Sequence, residues 1–191
     1  MDSLQAWIAI GLIVAAAIVG YFVLASFAFG AGYQPTPRRV VETMLRLAEV
    51  GPRDTVYDLG AGTGAIVFRA ARTYRARVVG VEVDPIRVLI LRVRRRFGAA
   101  ADRITIRWGN LFDLDFRTAS VVTTFLWPGA MRRLRPQFEA QLADGARVVS
   151  YYHPVIGWTP ESHDVETQVY LYRWPEARRR EDGDGAARDG T

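Results

Sequence analysis

The sequence predicts an α/β fold in which a mostly parallel, doubly wound sheet follows one transmembrane helix. Three observations carry this prediction: residues 5–32 are uncharged, short β-rich runs then alternate with helical patterns, and a glycine-rich turn follows the first of those strands. Alternating strands and helices favour parallel pairing with right-handed crossovers, because each connection must carry a helix back over the sheet.

The N-terminal apolar segment has the length of a membrane span. Residues 7–29 form a 23-residue stretch dominated by Ile, Val, Ala, Leu and Phe, and about 20 apolar residues cross a hydrocarbon core of about 30 Å. A cleaved signal peptide is the alternative, but only Asp2 is charged before the stretch, so the positive n-region is missing. The first arginines follow the stretch, which predicts a cytoplasmic C-terminal domain after a single-pass anchor and linker at residues 1–32.

The elements of the next domain, expected over residues 33–174, follow in order. A helix begins at Pro37 with Thr36 as its N-cap. Strands are predicted at residues 55–59, 77–83, 103–108, 119–126 and 146–152, and helices at residues 65–74, 86–97 and 131–142. The helix at residues 86–97 takes its apolar stripe from Ile86, Leu89, Ile90, Val93 and Phe97. Residues 165–174 predict an antiparallel edge strand, and the polar residues 175–191 predict a disordered tail.

The composition excludes several kinds of site. There is no cysteine, which removes disulfides, thiolate metal ligands and a cysteine nucleophile. The two histidines, His153 and His163, are ten residues apart and make a poor zinc site, so no metal is expected. All 25 basic residues are arginine, and the net charge of +5 suits nucleic acid or an anionic membrane equally well.

The glycine-rich turn runs from Asp58 to Gly64, between the first strand and the next helix. Gly60 permits the tight turn, Gly62 lets the backbone approach a ligand, and Gly64 allows the helix to pack close to the strand, as in Rossmann-like folds. A dinucleotide site is an alternative, because the looser glycine pattern is also satisfied. The carboxylate of Asp58 argues against it, since it would crowd a pyrophosphate.

The same carboxylate suits the ammonium group of S-adenosylmethionine (SAM). Glu82 ends the second strand, where a carboxylate can accept hydrogen bonds from both ribose hydroxyls, and Asn110, after the third strand, can hydrogen-bond the adenine edge. The sequence therefore predicts SAM as the cofactor. The candidate cofactor-binding residues are Thr36, Asp58, Gly60, Ala61, Gly62, Gly64, Glu82, Val83, Asn110 and Leu111.

These motifs resemble those of class I, seven-strand methyltransferases, whose glycine motif has the form Asp-x-Gly-x-Gly-x-Gly with a later acidic strand end. A narrower resemblance covers residues 33–172, through Thr36 with its flanking prolines, Gly109 to Phe112, and Gly157-Trp158. It is similar to the archaeal broad-specificity protein-lysine methyltransferase and to the mitochondrial relatives that methylate the ATP synthase c-subunit and the adenine nucleotide translocase. The resemblance implies a protein substrate with an accessible lysine, and those relatives also carry an N-terminal hydrophobic segment.

The acceptor side is expected at the carboxyl ends of the fourth and fifth strands, where open α/β sheets present their ligand crevice. The candidate catalytic residues there are Trp127, Tyr151, Tyr152 and His153, as the walls of an apolar channel or, for His153, as a base. Core or interface packing of these aromatic residues is the alternative.

Three other functions remain open from the sequence: a phospholipid or other small-molecule N-methyltransferase, a non-catalytic membrane adaptor with a Rossmann-like fold, and a nicotinamide-dependent oxidoreductase. Nucleic-acid amino methylation is less favoured, because residues 125–128 read Phe-Leu-Trp-Pro and lack an Asn-Pro-Pro-Tyr type loop. The resemblance implies the acceptor lysine, and the apolar span predicts that this lysine lies on a membrane protein and that the lipid bilayer is a partner through the N-terminal helix.

Overall fold

The computed structural model describes residues 3–28 and 34–177. The chain divides into two compact units between Gln34 and Pro35. Most of the predicted linker and nearly all of the predicted disordered tail lie outside the described residues, so both stay predictions.

The first unit contains one helix, α1 (Ser3–Ala28). Within residues 3–28 and 34–177, no helix meets the combined length and hydropathy of a membrane span. By this measure the predicted single-pass transmembrane anchor is wrong, and the cytoplasmic orientation inferred from it loses its basis.

The second unit alternates strands and helices as the sequence predicts. Its elements are α2 (Arg38–Leu47), β1 (Thr55–Leu59), α3 (Ala65–Thr73), β2 (Arg77–Glu82), α4 (Pro85–Phe97), β3 (Ile104–Trp108), β4 (Val121–Thr124), α5 (Pro128–Gln141), β5 (Arg147–Tyr151), β6 (Ser162–Asp164) and β7 (Val169–Arg173). Pro37 occupies the N-cap of α2 without a side-chain hydrogen bond. The predicted N-cap at Thr36 is therefore one residue too early.

The seven strands form one mixed sheet in the order β3-β2-β1-β4-β5-β7-β6. The first four pairings are parallel, whereas β7 runs antiparallel to β5 and β6 runs antiparallel to β7. The predicted mostly parallel sheet is therefore wrong. Residues 152–168, between β5 and β7, contain β6 and no helix, and without a crossover helix the chain returns antiparallel. The strand predicted at the edge is β7, which lies inside the sheet, while β6 forms the edge.

Helices cover both faces of the sheet because strand side chains alternate between the faces. Val56 and Val78 contribute to a core with residues of α2 and α3, such as Met44 and Val67. Tyr57 and its neighbours on the opposite face form a second core with Met131, Leu134 and Phe138 of α5. This doubly wound arrangement leaves the carboxyl ends of the parallel strands together at one edge.

Helix α4 faces the sheet with a different side from the one that its apolar pattern suggests. Its buried residues are Arg87, Val88 and Leu91. The predicted stripe points outward instead: Leu89 is 61% exposed and Phe97 is 84% exposed. Arg87 is buried because its guanidinium lies 3.5 Å from the carboxylate of Asp84, the N-cap of α4.

Candidate active site

The topology brings the candidate residues to one edge of the sheet. From β1 the chain turns toward β2 and β3 on one side, and it later enters β4 on the other side. Such a switch point opens a crevice at the carboxyl ends of the strands. The glycine turn follows β1, Glu82 ends β2, Asn110 follows β3, and the aromatic candidates follow β4 and β5.

The glycine turn uses backbone conformations that favour glycine. Gly60, Gly62 and Gly64 have φ values of 77°, 55° and 91°. A Cβ at Gly64 would lie 2.6 Å from the ring of Phe68 and 2.7 Å from Leu91. The N–H groups of Gly60 and Ala61 donate to the carbonyl of Val81 at 3.0 and 2.9 Å, which ties the turn to β2. The turn is therefore held rigidly, and the predicted close packing at Gly64 is what the structure has.

Asp58 lies buried at the base of the turn. The hydroxyl of Thr123 on β4 donates to its Oδ1 at 2.9 Å. Burial raises the pKa of Asp58 to about 7; the Thr123 hydrogen bond opposes this rise, and the nearby Glu82 carboxylate adds to it. A buried carboxylate with so high a pKa gains from a cationic partner, because a positive charge stabilises its ionised form.

Glu82 is buried beside the turn and accepts three backbone hydrogen bonds. The N–H of Gly62 donates to its Oε2 at 2.7 Å, and the N–H groups of Val83 and Asp84 donate to its Oε1, each at 3.0 Å. Its charge is thus stabilised by backbone dipoles. A carboxylate has about four acceptor positions, so at least one remains for a hydroxyl donor.

The remaining candidate cofactor-binding residues are Asn110, Leu111, Val83 and Thr36. The Oδ1 of Asn110 accepts the N–H of Phe112 at 3.2 Å, which leaves its amide N–H group as the one it can offer to an adenine nitrogen. Leu111 packs against the core on the α5 side, and Val83 is 38% exposed next to Glu82. Thr36 lies in the irregular segment before α2. The hydrogen bonds of residues 34–177 do not join Thr36 to the glycine turn.

The residues present fit SAM. Among residues 34–177, no salt bridge joins Asp58 or Glu82 to an arginine, although both carboxylates are buried. Two buried acceptors without a cationic protein partner match a ligand that brings its own ammonium and its own hydroxyl donors. The same pair of carboxylates would repel a pyrophosphate, so the dinucleotide alternative fits poorly.

The aromatic candidates do come together at the ends of β4 and β5. The ring centroids of Trp127 and His153 are 5.3 Å apart, and those of Tyr152 and His153 are 5.0 Å apart. Tyr151 contacts Phe125, at 4.4 Å between centroids, and Tyr152, at 6.2 Å. Trp127 is 55% and Tyr152 58% exposed. For these two residues, the alternative of core packing therefore does not hold.

The backbone at the end of β5 is tightly constrained. Tyr152 has a left-handed φ of 67°, a conformation that costs energy for a residue with a Cβ. Its N–H donates to the carbonyl of Gln168 at 2.8 Å, and the hydroxyl of Ser150 donates to the carbonyl of His153. These bonds fix the backbone from which the side chains of Tyr152 and His153 project.

A family model described as the ANTKMT methyltransferase domain matches residues 58–162. The match begins at Asp58 and includes the glycine turn, Glu82 and the aromatic group. The chain belongs to this methyltransferase family. The predicted family and the prediction of a SAM-dependent methyltransferase are confirmed.

Individual relatives agree with this assignment. The chain is 37% identical to a protein-lysine N-methyltransferase of Saccharolobus islandicus, over 73% of this chain and 91% of the relative. It is 30% identical to the adenine nucleotide translocase lysine N-methyltransferase of Mus musculus, over 67% of this chain but only 56% of that protein. The chain therefore spans about half the length of this mammalian relative.

A solved structure extends the comparison. The crystal structure of an RNA methyltransferase from Salinibacter ruber in complex with S-adenosyl-L-homocysteine is similar, with a TM-score of 0.72 and 43% identity. The similarity covers 75% of this chain and 95% of that one. The methyltransferase fold is thus shared over nearly the whole second unit, while the relatives differ in the acceptor that their names state.

Two residues of this methyltransferase site escaped the sequence prediction. Thr123 holds Asp58 from the neighbouring strand, and Phe125 backs Tyr151. The sequence did contain a signal for Thr123. A hydroxyl in an apolar central strand is buried only with a hydrogen-bond partner, so a partner was to be expected. Identifying that partner requires the register, in which Thr123 pairs with Asp58.

Proposed function

We propose that this chain is a SAM-dependent protein-lysine N-methyltransferase. The observation that carries the proposal is the pairing, at one sheet edge, of two buried carboxylates with an exposed aromatic group. The carboxylates suit a cationic, hydroxyl-bearing cofactor, and the aromatic group suits an alkylamine. The relatives named for lysine methylation, one of them 37% identical along almost its whole length, support the same acceptor.

In this proposal each cofactor-binding residue contacts a different part of SAM. Asp58 takes the ammonium group, Glu82 takes ribose hydroxyl protons, and Asn110 contacts the adenine edge. Gly60 and Gly62 let the backbone approach the ligand without a Cβ in the way. SAM supplies an electrophilic methyl group on a sulfonium sulfur. The rigid backbone of the turn holds these contacts in place.

The acceptor residues act mainly by positioning and desolvation. Methyl transfer needs a neutral amine, and a lysine side chain with an ordinary pKa near 10.4 is almost fully charged at pH 7. An apolar wall made of Trp127, Tyr152 and His153 removes water from the amine and so lowers its pKa. Orientation of the amine toward the methyl carbon supplies much of the rate. We assign His153 to this wall and, as a further role, to accepting the amine proton.

An RNA acceptor is the second candidate, because the similar structure at 43% identity is of an RNA methyltransferase. The residues at the end of β4 favour a lysine amine over an RNA base as the acceptor. Phe125 and Trp127 offer apolar ring surfaces there, whereas a base amino group needs a polar loop that holds its hydrogen-bonding edge. The proposed function therefore places lysine first and RNA as the acceptor to be tested beside it.

The test incubates the full chain with methyl-labelled SAM and two acceptor pools, a lysine-containing protein extract and total RNA. The chain contains no lysine, so any labelled lysine found by mass spectrometry belongs to an acceptor protein. Glu82→Ala is the inactive variant, and Glu161→Gln, immediately before the edge strand β6, is its control. Label on lysine that requires Glu82 supports the proposal; label on RNA alone would contradict it.

A further inference from the structure

The outward side of α4 carries an apolar stripe that no described element covers. Ile86, Leu89, Val93 and Phe97 recur at three- and four-residue spacing and are all exposed. They lie opposite the buried residues Val88 and Leu91. At 1.5 Å per residue the stripe is about 17 Å long. Exposed apolar surface that is rimmed by polar residues is a common form of interaction site.

Arginines flank this stripe on one side and form a concave pocket. Arg92, Arg95 and Arg96 line a cavity of about 420 Å³ together with Ala101 and Ile106. The Nε–H of Arg95 donates to the carbonyl of Ala101 at 3.1 Å, which orients its guanidinium. Within residues 34–177, no salt bridge pairs these three arginines with a carboxylate. Their combined positive charge is thus available to an anionic partner.

We propose that this α4 face, made of Ile86, Leu89, Val93 and Phe97 with Arg92, Arg95 and Arg96, docks an acidic amphipathic segment of the protein acceptor. The identity of the docked chain as the acceptor rests on the proposed function. The stripe requires an apolar partner surface, and the arginines require carboxylates beside it. A helix with apolar residues at three- and four-residue spacing and flanking Glu or Asp supplies both.

Two other occupants satisfy only part of this chemistry. A symmetric contact between this face on two copies of the chain would bring arginine against arginine, which is repulsive. An RNA strand matches the charge but offers no apolar surface to the aliphatic stripe. A bilayer matches both charge and apolar surface, and an anionic headgroup enters an arginine-lined pocket as a carboxylate side chain does. The proposed function, whose acceptor is a protein, favours the polypeptide, and vesicle binding is the rival outcome of the test.

The α4 face begins close to the candidate site along the chain. Ile86, at its N-terminal end, is four residues after Glu82. The exposed Trp108, at the end of β3, extends the surface there, with its indole N–H donating to the carbonyl of Val83 at 3.0 Å. A segment docked along α4 therefore ends at the carboxyl edge of the sheet, on the cofactor side of the candidate site rather than at the acceptor residues that follow β4 and β5. Such a contact raises the effective concentration of a lysine in the same protein.

The binding test uses the full chain and a fluorescein-labelled 15-residue peptide with leucine at three- and four-residue spacing and glutamate on both flanks. We expect it to bind at least tenfold more weakly to an Arg92→Glu/Arg96→Glu variant and to a Leu89→Ser/Phe97→Ser variant. The matched control, Arg53→Glu/Arg77→Glu, makes the same charge change at exposed positions away from α4 and should alter affinity less than twofold. Far-ultraviolet circular dichroism establishes that each variant is folded.

Three further probes separate the rival occupants: the same peptide with glutamine for glutamate, vesicles of 70% phosphatidylcholine and 30% phosphatidylglycerol, and a 20-nucleotide oligouridine RNA. Binding of the acidic peptide at least tenfold more tightly than the glutamine peptide supports docking. Equal binding of the two peptides would overturn it. Arg92- and Arg96-dependent binding of vesicles or RNA, without binding of the acidic peptide, would also overturn it.

A kinetic test connects docking to the reaction. When a lysine-containing acceptor is fused to the acidic peptide, we expect its KM to fall at least tenfold with kcat unchanged, and Arg92→Glu/Arg96→Glu should abolish this gain. Peptide binding without any lysine methylation would overturn the proposed function and the acceptor identity of the docked segment. Lysine methylation without peptide binding would overturn the docking surface alone.

Discussion

The two halves of the candidate site are built in different ways. At the ends of β1 and β2, Asp58 and Glu82 are buried and held by Thr123 and by backbone N–H groups. At the ends of β4 and β5, Trp127 and Tyr152 are more than half exposed, and their side chains make ring contacts with His153 and, for Tyr152, also with Tyr151. The side chains of the first half are fixed by hydrogen bonds, whereas those of the second half are held by packing between rings.

The difference matches what each half must recognise. A rigid set of polar contacts suits a cofactor of constant shape. A misplaced polar group of the protein would lose its hydrogen bond to the cofactor and remain buried, which is costly. Acceptor proteins differ in shape around the reacting amine, and exposed aromatic rings tolerate this variation because their attraction is mostly apolar. Changes in the first half should therefore alter stability and cofactor affinity together, whereas changes in the second half should alter acceptor kinetics alone.

The largest effect is expected at Gly64. Gly64→Ala places a Cβ within 2.7 Å of Phe68 and Leu91, at a φ of 91°. Overpacking and left-handed strain together should lower the free energy of unfolding by about 3 kcal/mol and weaken SAM binding with it. Urea denaturation measures the first effect and calorimetry the second. The control is Gly51→Ala, where the nearest atom is 4.0 Å away; equal losses in both variants would contradict the close packing.

Glu82→Ala should have the next largest effect, and it should lower both stability and SAM affinity. It leaves the N–H groups of Gly62, Val83 and Asp84 without their acceptor, and it removes the proposed ribose contact. We expect SAM affinity to fall by about 1 to 3 kcal/mol and stability by a similar amount. Calorimetric titration with Glu161→Gln as the control tests this. Unchanged SAM affinity in the Glu82 variant would remove Glu82 from the site.

The raised pKa of Asp58 predicts a pH dependence with a definite sign. The folded chain keeps this group protonated up to about pH 7, whereas an unfolded chain releases the proton near 3.8. Its contribution to stability is therefore fully present below about pH 4 and is lost as the pH rises through 7, by at most about 1.4 kcal/mol per pH unit. An Asp58→Asn variant should lack this slope.

SAM binding should show the opposite trend, because the ammonium group binds the ionised carboxylate. Below pH 7 we expect affinity to rise by up to about tenfold per pH unit, and Asp58→Asn should bind weakly with little pH dependence. His153→Gln is the control for imidazole titration. If that variant loses the slope and Asp58→Asn keeps it, the assignment of the titrating group is wrong.

The sequence predicted the first half of the site better than the second, for physical reasons. Asp58, the glycine turn and Glu82 are local signals, since each residue follows a strand and serves a ligand through its own position. The left-handed backbone of Tyr152 depends on pairing with Gln168 across the sheet, and no local pattern encodes it. The apolar stripe of α4 misled the prediction because period alone does not distinguish a core face from a docking face. The order of β7 and β6 likewise depends on long-range register.

The smallest effect on stability, and the sharpest separation of the two halves, is expected at Tyr152. Tyr152→Gly removes the cost of a Cβ at a φ of 67°, so the free energy of unfolding should change by less than about 1 kcal/mol even though contacts with Tyr151 and His153 are lost. The acceptor KM should rise several-fold, with SAM affinity unchanged. Arg75→Gly is the matched control, since Arg75 has a φ of 60° in the α3–β2 turn, away from the candidate site, and should relieve the same strain without any kinetic effect. If Tyr152→Gly weakens SAM binding as Glu82→Ala does, the two halves are one cooperative unit, and the proposed division between a hydrogen-bonded cofactor half and a packed acceptor half does not hold.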